Sequence, residues 1–305
     1  SKIENIDNLI NLQELSLYNN KIEKLEGLNG LLNLRKLNLY KNKIIRIENL
    51  CNLINIQKLN LCDNKIEKIE NIDKLINLKI LVLSQNKIEK MENLDKLINL
   101  EELYLDKNKI IKITNLEKII NLEKLNLAEN KIIKMENLDK LINLEELYLD
   151  NNQIVKIENI NMLINLQELY LQNNEITNME GLNSLINLQE LNLSFNKITN
   201  IPNTILYLYN LIYFNYLDNP IINISNLVQR FLNRIHNETN IYHDMQSVHN
   251  HNVQESLRKS IQKLMDDNFN LAKEYIKYQF NSTEIYITLN LSEQDIYELV
   301  LNRIY

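Results

Sequence analysis

The stretch N-L-E-E-L-Y-L-D-K-N-K-I, from Asn99 to Ile110, decides how this chain folds. Its pattern L-x-L-x-x-N-x-I returns every 22 residues, nine times in register. The recurrent asparagines are Asn20, Asn42, Asn64, Asn86, Asn108, Asn130, Asn152, Asn174 and Asn196, and Asn219 follows after 23 residues. A strict period of roughly 20 to 50 residues indicates a repeat architecture, in which similar units stack and share one elongated core.

One repeat unit combines a short strand with a series of tight turns. Leu81 and Leu83 are separated by one residue, which predicts a strand with one buried face. The next apolar residues follow at steps of three and four, which suits 3₁₀ or helical turns and leaves no room for a long helix. These residues are Ile88, Met91, Leu94, Leu97 and Leu100. We therefore predict an α/β solenoid with a parallel concave sheet and short 3₁₀ or helical turns on the convex side.

The recurrent asparagine has two interpretations, as a polar binding ladder or as an internal partner for the backbone of adjacent coils. An amide side chain contains both donors and an acceptor. The bend after each strand leaves backbone groups that water cannot reach and that must find partners inside the protein. We therefore predict a structural role for this asparagine.

The repeat unit L-x-x-L-x-L-x-x-N-x-I-x-x-I-x-x-L-x-x-L resembles the 22-residue class of leucine-rich repeats, typified by a regulatory subunit of protein phosphatase 1. The resemblance covers Ile3 to about Pro220. It implies a solenoid that binds other proteins, with control of a phosphatase as one such role. The segment from Tyr242 to Ile261 is similar to one that follows the repeats in leucine-rich-repeat proteins of amoeba-infecting giant DNA viruses.

The pattern divides the chain into three parts. Residues 1–219 form the repeat array, residues 220–251 a helical cap and polar linker, and residues 252–305 a small, mainly helical domain that could continue beyond Tyr305. Because Leu227, Phe231, Leu232 and Ile235 recur at helical spacing after the turn signal Asn219-Pro220, we expect an amphipathic helix that covers the end of the core. The array enters in mid-repeat at Ser1, so we expect the chain to be a fragment.

All four histidines fall within one short stretch, at His236, His243, His249 and His251. A zinc site is one interpretation, and a polar linker is the other. Structural zinc sites usually include cysteine at rigid spacing, and no cysteine lies near these histidines in the sequence. We therefore predict a linker and no metal site.

Composition favours some partners and compartments over others. The 34 basic and 40 acidic residues give a net charge of -6, so there is no electrostatic reason to expect binding to nucleic acid or to an anionic membrane. No apolar run approaches the roughly 20 residues that cross a bilayer. Cys51 and Cys62 lie inside the repeats, with no paired cysteines at either end of the chain, which favours a reducing compartment. We expect an intracellular, cytoplasmic protein, in the host cytoplasm if it is viral.

The candidate partner-binding site is a set of tyrosines and acids beside the strand leucines, where side chains point to the concave face. Its residues are Glu102, Tyr104, Asp106, Glu146, Tyr148, Asp150, Glu168, Tyr170 and Glu190. Glu146, Glu168 and Glu190 are expected on consecutive strands about 4.8 Å apart, where like charges are unfavourable unless they serve a partner. The alternative is that these charges only keep the sheet soluble. Residues 91–106 and 135–150 are identical, so Tyr104 can be a copy of Tyr148.

No motif in the chain predicts catalysis. Its three glycines, Gly27, Gly30 and Gly181, form no phosphate-binding loop, and no histidine lies near either cysteine in the sequence. We predict a non-enzymatic scaffold without cofactors, which binds a protein partner through the concave face. The alternatives are the substrate-recognition part of a ubiquitin-ligase-type protein, with its catalytic region outside this chain, and a protein phosphatase regulator.

Overall fold

A computed structural model describes Ile3, Ile6 and residues 8–244 of the chain, with side-chain surroundings as far as Ile235. The described part forms one parallel sheet of ten three-residue strands that are ordered as in the sequence. The strands are β1 (Glu14–Ser16), β2 (Lys36–Asn38), β3 (Lys58–Asn60), β4 (Ile80–Val82), β5 (Glu102–Tyr104), β6 (Lys124–Asn126), β7 (Glu146–Tyr148), β8 (Glu168–Tyr170), β9 (Glu190–Asn192) and β10 (Tyr213–Asn215). The predicted parallel solenoid is confirmed.

Each strand pairs with its neighbours at the same position of the repeat. Leu103 in β5, for example, is aligned with Leu81 on one side and Leu125 on the other. The central leucine of each strand from β2 to β9 is buried, and the two residues flanking it are at least partly exposed. Because the register is regular, residues 22 apart lie beside each other and form columns across the sheet. The outward side of the sheet, which bears these flanking residues, is called the sheet face below.

The chain returns from one strand to the next through tight turns. In the fourth coil, the Leu97 amide donates to the Leu94 carbonyl and the Leu100 amide to the Leu97 carbonyl, both at 3.0 Å. These three-residue spacings are 3₁₀-type turns, as the sequence predicts. In the last repeat the turn lengthens into a 3₁₀ helix, Asn203–Tyr207, after Pro202.

The recurrent asparagine lies inside the solenoid and satisfies backbone groups of two coils. Asn130 is 9% exposed, and its Nδ2 donates to the carbonyls of Leu105, Leu127 and Ala128 at 3.0–3.1 Å. Its Oδ1 accepts the amide of Ile110, in the preceding coil, at 2.9 Å. The structural role predicted for this asparagine is therefore confirmed.

Two more asparagine ladders join the coils. One is exposed and lies just before the strands, where Asn121 Nδ2 donates to the Ile98 carbonyl at 3.0 Å. The other lies at a left-handed position, where Asn93 (φ 58°) donates to the Ile69 carbonyl at 2.7 Å. Gly181 takes this position in a later coil, at φ 91°, where an added Cβ would lie 2.7 Å from the Ile157 carbonyl oxygen. The glycine therefore relieves both the backbone strain and a close approach.

The residue before the buried asparagine also has a positive φ in every coil from Asn19 to Asp218. Phe195 (φ 54°) is the bulkiest of these residues and is 55% exposed. A large side chain in this region is strained, whereas asparagine tolerates it. We expect Phe195→Asn to raise the free energy of unfolding by about 0.5–1 kcal/mol. Urea unfolding followed by circular dichroism measures the change, and Asn151→Phe, at the same position two coils earlier, should have the opposite effect.

Helix α1 (Asn226–Asp244) follows the last strand. Val228, Leu232 and Ile235 are buried at the end of the core, and Phe231 packs partly buried against it. Leu227 was expected on the buried face, but it is 46% exposed, and Val228 takes its place. The other three predicted residues, Phe231, Leu232 and Ile235, pack as expected, and only the first position of the face differs. The surroundings of the four histidine side chains and the predicted domain at residues 252–305 lie outside the described residues.

Candidate functional site

The sheet face presents two columns that contain most of the predicted site. Lys124 on β6 lies between Glu102 on β5 and Glu146 on β7, and Glu168 and Glu190 follow on β8 and β9. The second column runs Tyr104, Asn126, Tyr148, Tyr170 and Asn192. The structure therefore brings Glu146, Tyr148, Glu168, Tyr170 and Glu190 together on three adjacent strands. These five residues are called the tyrosine-acid strip.

The two tyrosines of the strip form a rigid pair. Their rings are stacked, with centroids 5.0 Å apart and planes 9° from parallel. The Tyr148 hydroxyl lies 2.8 Å from Glu146 Oε2 and 2.7 Å from Glu168 Oε2, and the Tyr170 hydroxyl donates to Glu190 Oε2. Since a phenol has a single proton, Tyr148 can donate to only one of its two carboxylates at a time. The strip therefore contains more acceptor oxygens than donors.

The surroundings of the two hydroxyls further favour their protonated form. Partial burial, and then hydrogen bonds to Glu168 and Glu146, raise the pKa of Tyr148 far above its ordinary value. The pKa of Tyr170 is raised by burial and by its hydrogen bond to Glu190. Ionising either phenol would place another negative charge beside carboxylates. The tyrosines thus act as neutral donors that hold the carboxylates of neighbouring strands in place.

Lys124 is the residue of this region that the sequence-based site omitted. Its Nζ forms an ion pair with Glu146 Oε2 and lies 5.4 Å from the centroid of the Tyr148 ring and 6.0 Å from that of Tyr104. At the Tyr148 distance an ammonium group is attracted by the ring face. The 22-residue register already placed Lys124 between Glu102 and Glu146, so the signal was present in the sequence.

The other four predicted residues lie apart from the strip. Glu102 and Tyr104 are on the far side of Lys124, where the Tyr104 hydroxyl donates to Glu102 Oε2 at 2.8 Å. Asp106 and Asp150 follow their strands, and they accept hydrogen bonds from Ser84 and Asn151, respectively. Burial raises the pKa of Asp150. The nine residues therefore form one compact group of five, and a separate Glu102–Tyr104 pair and two single aspartates.

A polar groove of about 390 Å³ runs beside the sheet, on the side where the chain enters the strands. It is lined by Gln57, Asn77, Lys79, Asn99, Glu101, Asn121, Glu123, Asn143, Glu145 and Asn165. Within the described part of the chain, no three histidine, cysteine or acidic side chains are grouped as metal ligands. No helix in that part has the length and apolar character needed to span a bilayer.

A stacked solenoid that presents an aromatic and charged sheet face defines a repeat protein of the binding class. The chain matches the family described as leucine-rich repeats (2 copies) over residues 10–52, 54–96, 76–118, 120–162, 142–184 and 164–206. Since these matches cover more than half of the chain, it belongs to the leucine-rich-repeat family. Leucine-rich-repeat proteins are generally protein-interaction modules, and their repeat fold is typically non-catalytic. No curated protein sequence matches the chain.

Solved structures show the same fold. A leucine-rich-repeat protein of Leptospira interrogans is 28% identical, with a TM-score of 0.71, over 76% of this chain and 61% of its own. Internalin C2 of Listeria monocytogenes is 34% identical, with a TM-score of 0.57, over 59% and 80% of the two chains. A plant peptide hormone receptor in complex with RGF2 is 26% identical, with a TM-score of 0.60, over 70% and 37%. The chain thus spans about three fifths of the Leptospira protein.

Proposed function

We propose that the chain binds a protein partner through the tyrosine-acid strip and that the partner presents lysine or arginine side chains to it. The observation that carries this proposal is the stacked Tyr148–Tyr170 pair, which lies among three carboxylates on adjacent strands. Such a surface combines flat aromatic area with fixed negative charge. No bound small molecule or catalytic group is needed for this function.

The tyrosine pair has the properties of an interface hot spot. Tyrosine is enriched at such sites because one ring supplies a large contact area and a polar group. Stacking and the hydrogen bonds to Glu168 and Glu190 restrict both side chains before any partner arrives. A side chain that is already ordered loses little conformational entropy on binding. The pair can therefore contribute more affinity than freely rotating surface tyrosines.

The charges of the strip specify the chemistry of the partner. Glu146 is paired with Lys124, but no ion pair to Glu168 or Glu190 is found in the described part of the chain. Their oxygens can accept hydrogen bonds from a guanidinium or an ammonium group, and these are the donors with charge opposite to theirs. Charge complementarity of this kind gives specificity and speeds association.

The likeness to solved structures supports a peptide or protein ligand. The plant receptor noted above was solved in complex with RGF2, and it is named as a receptor for a peptide hormone. We take the shared fold as support for a ligand of that kind here. A phosphatase or a ubiquitin-ligase substrate remains an alternative partner, and the identity of the bound protein separates these roles.

The proposal includes an intracellular location. Cys51 and Cys62 are both free thiols, and burial raises the pKa of Cys62 to about 11, so that thiol stays protonated and unreactive. Free cysteines are ordinary in a reducing compartment.

Selection of peptides from a random displayed library tests the proposal. We expect peptides enriched on the wild-type protein to contain lysine or arginine beside an apolar or amide residue. One such peptide, synthesised with a fluorophore, should bind at least tenfold more weakly to the variant Tyr148→Ala with Tyr170→Ala, because the aromatic platform is lost. Fluorescence polarisation measures the affinity, and circular dichroism should show that the variant stays folded.

Two further variants make the test specific. Glu168→Gln with Glu190→Gln keeps the shape of the strip but removes two charges, so it should weaken binding and reduce its dependence on salt. Tyr18→Ala with Tyr40→Ala removes exposed tyrosines near β1 and β2 and should leave the affinity unchanged. Enrichment of acidic peptides, or equal affinity in the wild type and the Tyr148/Tyr170 variant, would show that the strip is not the binding site.

A further inference from the structure

An unbroken line of exposed aliphatic side chains runs along the solenoid, away from the sheet face. One residue per coil contributes to it, at the turn just before the exposed asparagine ladder, and each is 41–57% exposed. The residues are Ile10, Leu32, Ile54, Ile76, Ile98, Ile120, Ile142, Ile164 and Ile186. They are called the isoleucine stripe.

The hydrogen bonds at these positions involve the backbone carbonyl, as when the Ile98 carbonyl accepts a hydrogen bond from Asn121 Nδ2. About half of each aliphatic side chain packs against its own solenoid, and the other half is exposed. The position two residues earlier is also exposed in most coils, and it varies from Asn52 to Lys96 to Ser184. Nine aliphatic residues in successive coils, beside a position that varies, indicate that these side chains contact another molecule.

The stripe is large enough to be an interface. Nine aliphatic residues, each about half exposed, present on the order of 800 Å² of apolar surface, which is one partner's share of a standard protein interface. Contiguous apolar patches beyond a few hundred Å² mark interaction sites on soluble proteins. The stripe also has a regular spacing, with one side chain per coil.

We propose that the isoleucine stripe is the contact between two copies of this chain, packed stripe on stripe about a two-fold axis that runs along it. A second copy carries the same side chains at the same spacing, so each stripe residue of one copy meets the same residue of the other. Such an interface is isologous, because each copy contributes the same patch. This face is separate from the tyrosine-acid strip, so the proposal does not depend on how the sheet face binds a partner.

The two flanks of the stripe differ in charge in the way that this pairing needs. On one flank, the side chains of Lys96, Lys118 and Lys140 are 60–64% exposed, and each ammonium group lies 3.4–3.7 Å from an aspartate of its own chain, Asp95 or Asp139. On the other flank, Glu101, Glu123 and Glu145 line the polar groove. A two-fold axis along the stripe places the lysine flank of each copy against the glutamate flank of the other.

The polar groove provides room for these lysines. Five asparagine side chains, one from each of five successive coils, line it beside the stripe together with the glutamates. Glu101 is paired with Lys79 at 2.6 Å, but within the described residues no cation is paired with Glu123 or Glu145. Lys118 of one copy would then reach Glu123 of the other, and Lys140 would reach Glu145. An antiparallel arrangement would instead bring the lysine flanks of the two copies together, and likewise the glutamate flanks.

Sedimentation velocity on the full chain tests the pairing. We expect a concentration-dependent dimer in the wild type and at least a tenfold weaker dimer when Ile98, Ile120 and Ile142 are all changed to lysine. The matched control changes Ile111, Ile133 and Val155 to lysine in the same region of the array, at similar exposures of 42–48% but outside the stripe. The control should dimerise like the wild type. A wild type that stays monomeric up to about 100 µM, or equal loss in both variants, would overturn the proposal.

Charge exchange tests the orientation of the pair. Glu123→Lys with Glu145→Lys should weaken the dimer, and so should Lys118→Glu with Lys140→Glu, because each brings like charges together. All four changes in one chain should restore it, since the two-fold axis then pairs every reversed charge with its reversed partner. Circular dichroism establishes that each variant is folded. A dimer that the combined variant fails to restore would overturn the arrangement with parallel stripes.

Discussion

Asn130→Ala is expected to lower the free energy of unfolding by about 3 kcal/mol. The Ile110 amide would lose its acceptor inside the solenoid, and a buried donor without a partner is costly. The carbonyls of Leu105 and Leu127 would each keep one donor, because Asn108 and Asn152 also bond to them. Most of the loss therefore comes from the amide. Urea unfolding monitored by circular dichroism measures it.

Two comparison variants separate the effect of losing a buried ladder asparagine from the effect of replacing any asparagine. Asn121→Ala removes one hydrogen bond from an exposed side chain, so it should cost less than about 1 kcal/mol. Asn130→Asp keeps an acceptor for the Ile110 amide but places a carboxylate oxygen beside three carbonyls, and it should destabilise at least as much as alanine. If Asn130→Ala unfolds at the same urea concentration as Asn121→Ala, the buried ladder does not hold the coils together.

Leu125→Ala is expected to lower the free energy of unfolding by about 4 kcal/mol. Leu125 is fully buried at the centre of β6, between the aligned leucines Leu103 and Leu147. The deletion leaves a cavity that the neighbouring coils can close only by moving their own strands. Since each coil is stable only against its neighbours, the loss should also weaken the coupling between the two halves of the array.

Denaturant unfolding of this variant should therefore show both a lower midpoint and a broader transition. Hydrogen exchange should locate the weakened protection in the coils that adjoin β6. Ile133→Ala provides the control, because that side chain is 46% exposed and its removal should cost under about 1 kcal/mol. A sharp transition with unchanged slope would show that the array unfolds as one unit despite the cavity.

The site could be predicted from sequence in part. The 22-residue period of the sequence alone places Glu146, Glu168 and Glu190 on consecutive strands, and the same holds for Tyr148 and Tyr170. It could not tell that a tyrosine hydroxyl would lie between two carboxylates, because that depends on side-chain rotamers. Nor could it tell that Lys124 would fold over Tyr148 and pair with Glu146. A long side chain can reach several partners, and the packing around it determines which contact forms.

For the isoleucine stripe and for helix α1, too, the sequence predicts the residues, and only packing determines which side chains are buried. The repeat pattern places an isoleucine or a leucine before each exposed asparagine from Asn11 to Asn187, but whether that side chain is buried depends on how the turns pack. Helical spacing predicted that Leu227 would pack against the core, but the structure buries Val228 in its place. Leu227 and Val228 are adjacent apolar residues, so the spacing alone leaves open which of the two lies on the packed face.

By itself the sequence determined the solenoid, its register, the buried asparagine ladder and the columns of the sheet face, because a strict period constrains every coil to the geometry of its neighbours. Tertiary structure alone decided which carboxylates share a hydroxyl, which acids lack a cation within the described residues, and which apolar side chains remain exposed. The physical reason is that the period sets backbone positions, whereas hydrogen bonds and ion pairs between side chains depend on rotamers and on contacts across coils.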